Sequence, residues 1–264
     1  MTSSVVLVDR PVPHVARLLI NRPDKRNAID HDVRQQLTDE LSTLLRDTRV
    51  RAIVFGGAQG VFSAGGDVPS MVGLSEEQAR ARMQHIHVLC RVVARAGVPV
   101  VSAIEGIGAG AAVGLALMGD RIVVGEGTKI LFPFLKLGLV PDWGQLLTLP
   151  RRVGLPVARR ILSEGAPVSG PEAHRIGLAD TLVADAQVMV TAISQAAELA
   201  LLPRDAFQRM KARLNYPAAS LAEELVREET DQTVCLLSDE FVEGHDAYLN
   251  KRAADFIGLP GLRR

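Results

Sequence analysis

Three glycine-rich segments and one aspartate hold most of the chemistry this chain could do. Val61-Phe62-Ser63-Ala64-Gly65-Gly66-Asp67 follows a strand-and-turn pattern. Glycines beside small residues let a ligand approach the main chain, where exposed N–H groups can donate. Glu105-Gly106-Ile107-Gly108-Ala109-Gly110-Ala111-Ala112 runs from a strand into a helix. Unpaired N–H groups at a helix start, with the positive end of its dipole, suit a developing oxyanion. The third segment, Gly138-Leu139-Val140-Pro141-Asp142-Trp143-Gly144-Gln145, places a carboxylate before an apolar stretch. Asp142 fits two roles. It could cap a helix, with Gln145 returning the bond as in a capping box. It could also be a general base, its pKa raised by desolvation beside Trp143 and Leu139. Close packing alone would equally account for the glycines, so spacing leaves these alternatives open.

Other chemistries fit less well. Gly108 and Gly110 begin a G-x-G-x-x-G pattern, but Val113 stands where its last glycine belongs, and no Gly-Lys-Ser/Thr follows. A dinucleotide fingerprint and a P-loop both fail. His85 and His87 fall on different faces of a helix pattern, so no metal site is expected. Ser63 lacks a histidine partner at a motif position, which argues against a hydrolase. His31 reads as a surface residue and Glu105 as a structural one. Arg151, Arg152, Arg159 and Arg160 read as solvated helix faces, with subunit or phosphate contacts as the alternative. Cys90 and Cys235 give neither a disulfide framework nor a metal pattern, and read as reduced core thiols.

The elements that must position these residues alternate. Val5–Val8 and Val15–Ile20 read as strands around a turn at Pro11 and Pro13. Asp30 to Arg46 has helical spacing with Asp30 as N-cap, and Ser75 to Arg95 opens with a capping-box pattern. Arg51–Phe55, Val98–Ile104, Arg121–Val124 and Thr128–Leu131 read as strands, and Gly110–Leu117 as a small-residue helix. Beyond Pro156 the strand signal fades and helices follow: 156–163, 171–176, 185–202, 203–214, 221–237 and 239–256. An α/β core over residues 1–200 with a helical region over 201–264, working as one unit, is expected. The apolar stretch Val98 to Met118 contains Pro99, Glu105 and four glycines, which suit a strand, turn and helix better than a membrane span. Lys+Arg and Asp+Glu balance at 30 each, so no global positive field exists to hold nucleic acid. The N-terminus lacks a secretory pattern, and a cytoplasmic location is expected.

Taken in order, the motifs resemble the enoyl-CoA hydratase/isomerase, or crotonase, family. Asn21 to Ala28 resembles its N-terminal signature, Ser63 to Asp67 its first oxyanion-hole motif and Glu105 to Asp120 its second. Leu137 to Gly154, Ala166 to Asp180 and Tyr248 to Arg252 are similar to its later segments, so the resemblance spans nearly the whole chain. It implies a spiral of ββα turns with a C-terminal α-helical trimerisation region, and trimers that often pair into hexamers. An acyl-CoA thioester would be the ligand, with no cofactor beyond the coenzyme A of the substrate. The N–H groups of Ala64 and Ala111 would form the oxyanion hole. Lys25, Arg26, Ala28, Gly65, Gly66, Asp67 and Val68 would line the CoA path, and Tyr248 and Lys251 would reach CoA in a neighbouring subunit. Met71, Met83, Ile86, Phe134 and Trp143 would line the acyl pocket.

The departures from the family pattern are informative. Hydratases of this family use two glutamates to orient and deprotonate water, and in register those positions hold Gly114 and Phe134. Neither can move a proton, so syn-hydration is not expected. Asp142 falls where certain family isomerases and a dehalogenase keep a catalytic aspartate. The segment around it resembles Δ3,Δ2-enoyl-CoA and ring-enoyl-CoA isomerases of phenylacetate-type pathways. An Asp142-dependent isomerase is therefore expected, the alternative being a non-catalytic acyl-CoA binder in which Asp142 only caps a helix.

Overall fold

The computed structural model describes residues 4–259. Strands β1 (Val6–Val12) and β2 (Val15–Ile20) form a hairpin; α1 (His31–Arg46), β3 (Ala52–Gly57), α2 (Glu76–Ala94) and β4 (Val100–Ile104) follow. The centre of the chain holds β5 (Ile107–Ala109), α3 (Ala111–Leu117), β6 (Arg121–Gly125) and β7 (Lys129–Leu131). Next come α4 (Gln145–Val153), α5 (Leu155–Glu164), β8 (Val168–Ser169), α6 (Gly170–Arg175) and β9 (Thr181–Val183). The last helices are α7 (Val188–Ala200), α8 (Arg204–Asn215), α9 (Leu221–Leu236) and α10 (Asp239–Leu249).

One sheet has six strands in the order β1-β2-β3-β4-β6-β9, the other three in the order β5-β7-β8. Every pairing from β2 to β9 in the larger sheet is parallel. Its central strands are buried on both faces, because alternate side chains serve two cores. Ala52, Val54, Val101, Ala103 and Val123 meet Val188, Ala192 and Ala196 of α7. Ile53, Phe55, Val100, Ile104 and Ile122 join the larger core with α1, α2 and α3. No single helix among the described residues is long and apolar enough to cross a membrane, and 98–118 is instead β4, a turn, β5 and α3.

The expected caps are present. Asp30 accepts from the Val33 N–H, and Ser75 and Gln78 form a reciprocal capping box. Four expectations fail. β1 runs through Pro11 to Val12, because it lies at the sheet edge and breaks register between Asp9 and Val12, where a missing N–H is tolerated. Strands do occur after Pro156, but β8 and β9 have two and three residues, too few for a period to register. The last helix stops at Leu249 rather than Phe256, with Lys251 left-handed at φ 52°. Both cysteines are half-buried rather than core.

The 201–264 region is tied to the rest by a buried lysine. Lys211 on α8 sends its ammonium to Asp120 at 2.6 Å and to the Val98 carbonyl at 3.1 Å, at the entry to β4.

Candidate active site

The segment 63–66 is clamped between two neighbours, and the clamp determines which N–H groups remain free. Asn27, buried and left-handed at φ 57°, organises one side. Its Oδ1 accepts the Arg22 N–H at 2.8 Å, and its Nδ2 donates to the carbonyls of Ala58 (3.0 Å) and Val61 (2.6 Å). The Ser63 hydroxyl donates to the Asn27 carbonyl at 2.7 Å and accepts the Gly65 N–H at 3.0 Å. Ser63 is thereby occupied as a brace and has no histidine on it. The Ser63 N–H donates to the Ile107 carbonyl and the Ser63 carbonyl accepts the Ala109 N–H of β5. On the other side the Ile29 N–H donates to the Gly65 carbonyl and the Ile29 carbonyl accepts the Asp67 N–H.

This clamp corrects one expectation from the sequence. The Ala64 N–H donates to the Arg26 carbonyl at 2.8 Å, so it is not available to an oxyanion. Among the described residues the Gly66 N–H has no acceptor, and Gly66 is only partly buried. Gly65 must be glycine: its φ is +92°, and a Cβ would lie 2.6 Å from the Ala109 carbonyl oxygen. On the facing segment, Ala111 is the first residue of α3, and its N–H lacks an intrahelical acceptor. Phe134 is buried, its ring edge 3.7 Å from where a Gly110 Cβ would stand.

Asp142 does not cap α4. The N-cap is Gly144, with no side-chain bond, and the Asp142 Oδ1 is buried without a hydrogen-bond partner. Burial raises its pKa to about 6, against opposing contributions from its own backbone hydrogen bond and the Arg82 charge. Helix α2 faces this carboxylate: both Arg82 and Cys90, two turns apart, sense its charge, and burial pushes the Cys90 thiol up to about 12.

Gln145 was expected to return a capping bond. Fully buried, it instead donates Nε2 to the carbonyls of Gly110 and Asp142, each at 3.1 Å. One amide thus joins the start of α3 to the aspartate loop. Between them Trp143, also buried, is left-handed at φ 53° and is followed by Gly144 at φ 72°. A bulky residue in that region is strained and persists only where its surroundings hold it. Gly114 supplies part of that hold: a Cβ there would stand 2.4 Å from the Trp143 Cβ and 3.2 Å from the Gln145 Nε2. The position aligned with a hydratase glutamate is therefore filled by its neighbours.

Other residues singled out from the sequence group differently. Asp67 pairs with Arg22 at 3.4 Å and lies 4.0 Å from the Lys25 ammonium. Arg26 is exposed and left-handed, its carbonyl serving Ala64, while the Ala28 carbonyl accepts from Arg22 at 2.8 Å. The Met71 methyl covers Gly66, 2.5 Å from its would-be Cβ, and Val68 is exposed. Tyr248 and Lys251 lie at the end of α10, exposed. Of the arginine cluster, Arg152 pairs with Asp180 and Arg160 with Glu164 and Glu172. Asn27 and Gln145 were missed as site residues. An Asn between a turn and a helix signals only a turn, and nothing local marks a Gln that reaches across 35 positions.

A sequence model described as enoyl-CoA hydratase/isomerase covers residues 13–258. The chain belongs to that family. It is 30% identical over 249 residues to a 1,2-epoxyphenylacetyl-CoA isomerase of Escherichia coli, covering 92% of this chain and 95% of the relative. It is 32% identical over 266 residues to a probable enoyl-CoA hydratase of Mycobacterium tuberculosis, covering 97% and 93%. Among solved structures, a probable enoyl-CoA hydratase/isomerase of Mycobacterium abscessus superposes with TM-score 0.87 at 32% identity, over 97% of this chain and 100% of that one. An enoyl-CoA hydratase of Bacillus anthracis gives TM-score 0.90 at 25% identity, over 96% and 99%. The fold is the crotonase-like fold, and enoyl-CoA hydratase/isomerase relatives carry both kinds of name.

Proposed function

We propose that this protein is an acyl-CoA isomerase of the enoyl-CoA hydratase/isomerase family that moves a double bond between the Δ3 and Δ2 positions. The thioester oxygen would accept from the N–H groups of Gly66 and Ala111, the two donors left open by the packing around them. Asp142 removes a proton next to the thioester carbonyl, the dienolate rests in the hole, and the same carboxyl returns the proton two carbons further along. One carboxylate suffices, because the reaction neither adds nor removes water. The carrying observation is the Asp142 carboxylate itself: half-buried, without a capping role, one oxygen unpartnered, its pKa raised to about 6. A base with a pKa near working pH matches that task. Phe134 and Gly114, at the two positions where hydratases keep acids, argue against hydration.

CoA is assigned to the Lys25–Ala28 and Gly65–Val68 side. We also infer self-association into trimers: α9 buries no residue within the chain, and Leu221, Val226, Val242 and Leu249 on α9 and α10, with Leu237 between them, are all well over half exposed. The test is Asp142→Asn with a 3-enoyl-CoA substrate. Isomerisation should fall by about 10²- to 10⁴-fold while binding of a saturated acyl-CoA is unchanged. Undiminished turnover in the variant would point to another base, and no turnover by either protein would leave the non-catalytic binder as the reading.

A further inference from the structure

Arg82 is a cation beside the site whose hydrogen-bonding capacity the proposed isomerisation does not use. It stands on α2, partly buried, with its Nη2 3.9 Å from the would-be Cβ of Gly66. Its only hydrogen bond among the described residues is from Nη1 to the Ser70 hydroxyl at 3.3 Å. The charges of Asp142 and Asp67 both favour its charged form, but Asp67 pairs with Arg22 and neither carboxylate is within ion-pair distance of Arg82. A second guanidinium stands near it. Arg34 on α1 is 2% exposed, its Nη1 has no hydrogen-bond partner, and the Arg82 charge opposes its own. Helix α2 otherwise turns Ile86 and Leu89 into the apolar core. A partly desolvated cation with spare donors is costly unless an anion or strong acceptor joins it.

We propose that Arg82 selects acyl-CoA thioesters whose acyl group carries a second carboxylate. The guanidinium offers a planar fork that a carboxylate matches with two parallel hydrogen bonds, and it has no intramolecular ion pair to surrender. A methyl-terminated chain would leave the same fork facing hydrocarbon. This reading rests on the assignment of the site to acyl-CoA, not on the identity of the base.

The test is binding, read separately from turnover. Succinyl-, glutaryl- and adipoyl-CoA are titrated calorimetrically against butyryl-, pentanoyl- and hexanoyl-CoA and against the methyl esters of the diacids. The full-length protein is used with Arg82 intact, as Arg82→Met and as Arg82→Lys. At one diacid length or more, the native protein should bind the free acid at least about tenfold tighter than the ester or the monoacid. Arg82→Met should erase that margin without weakening the monoacids, and Arg82→Lys should keep part of it. No preference at any length, or a preference that survives Arg82→Met, overturns the proposal. So does a uniform loss for every ligand with a lowered melting temperature, which would make Arg82 an anchor for the Ser70 turn. Running the same titrations on Asp142→Asn separates the two ideas. If the isomerase reading fails, no variant turns over, yet the Arg82-dependent margin still stands or falls by itself.

Discussion

The two halves of the site are built on opposite principles. The 63–66 segment is held from both sides by main-chain bonds, with Asn27 and Ser63 filling the remaining demands, so that few of its polar groups are left open. The 134–145 segment has a run of exposed apolar side chains from Leu135 to Val140, a left-handed tryptophan and a carboxylate oxygen without a partner. A recognition element that reads one oxygen gains from having no freedom. Under the proposed isomerisation the proton carrier visits two carbons, and Asp142 stands in a loop outside the sheets that is fastened through buried Trp143 and Gln145. Gln145 is the fastening between the two halves.

The largest effect should come from attacking the rigid half. Asn27→Ala removes the amide that serves three backbone groups and puts alanine at a positive φ. A loss of about 3 kcal/mol or more in chemical denaturation is expected. A loss below about 1 kcal/mol would mean that the clamp does not depend on Asn27. Next comes the fastening. Gln145→Leu should lower kcat about tenfold while KM for the acyl-CoA and its calorimetric Kd stay near native, because the hole survives and only the aspartate loop drifts. An equal rise in KM with unchanged kcat would instead tie Gln145 to substrate binding.

The smallest effect lies in the loop and is a gain. Asp142 has a folded-state pKa of about 6 against an ordinary 3.8, so the native protein binds its proton more tightly than the unfolded chain does. Ionised Asp142 therefore costs stability, fully above pH 6 and not at all well below 3.8. Asp142→Asn should stabilise the protein by about 1–2 kcal/mol at pH 8, after allowance for partial solvent screening. That gain should shrink between pH 6 and 4 and vanish below. A pH-independent difference would show that the carboxylate is solvated in the folded state.

Much of this was legible beforehand. The caps at Asp30 and Ser75 depend on neighbours three residues away, and local chemistry suffices to read them. The glycine segments and Asp142 were visible as candidates because their residue types are unusual for their surroundings. The identity of the open N–H was not. Whether Ala64 or Gly66 keeps a free donor depends on how residues 26–29 lie alongside, a pairing across some 36 positions that no local pattern encodes. The capping box at Asp142 and Gln145 misled for a related reason: the spacing was right, but the Gly110 carbonyl and the neighbouring backbone competed for the same glutamine.

The crowding at Gly114 bears on how this chain could have diverged. A hydratase ancestor that lost its acids by simple exchange could regain one by a single substitution. Here the volume a side chain at 114 would need is occupied by the Trp143 Cβ and the Gln145 amide. An acid at 114 would now have to displace the same loop that holds Asp142. Gaining water addition by that route would require rebuilding the loop first, so an acid at 114 and the present position of Asp142 exclude one another.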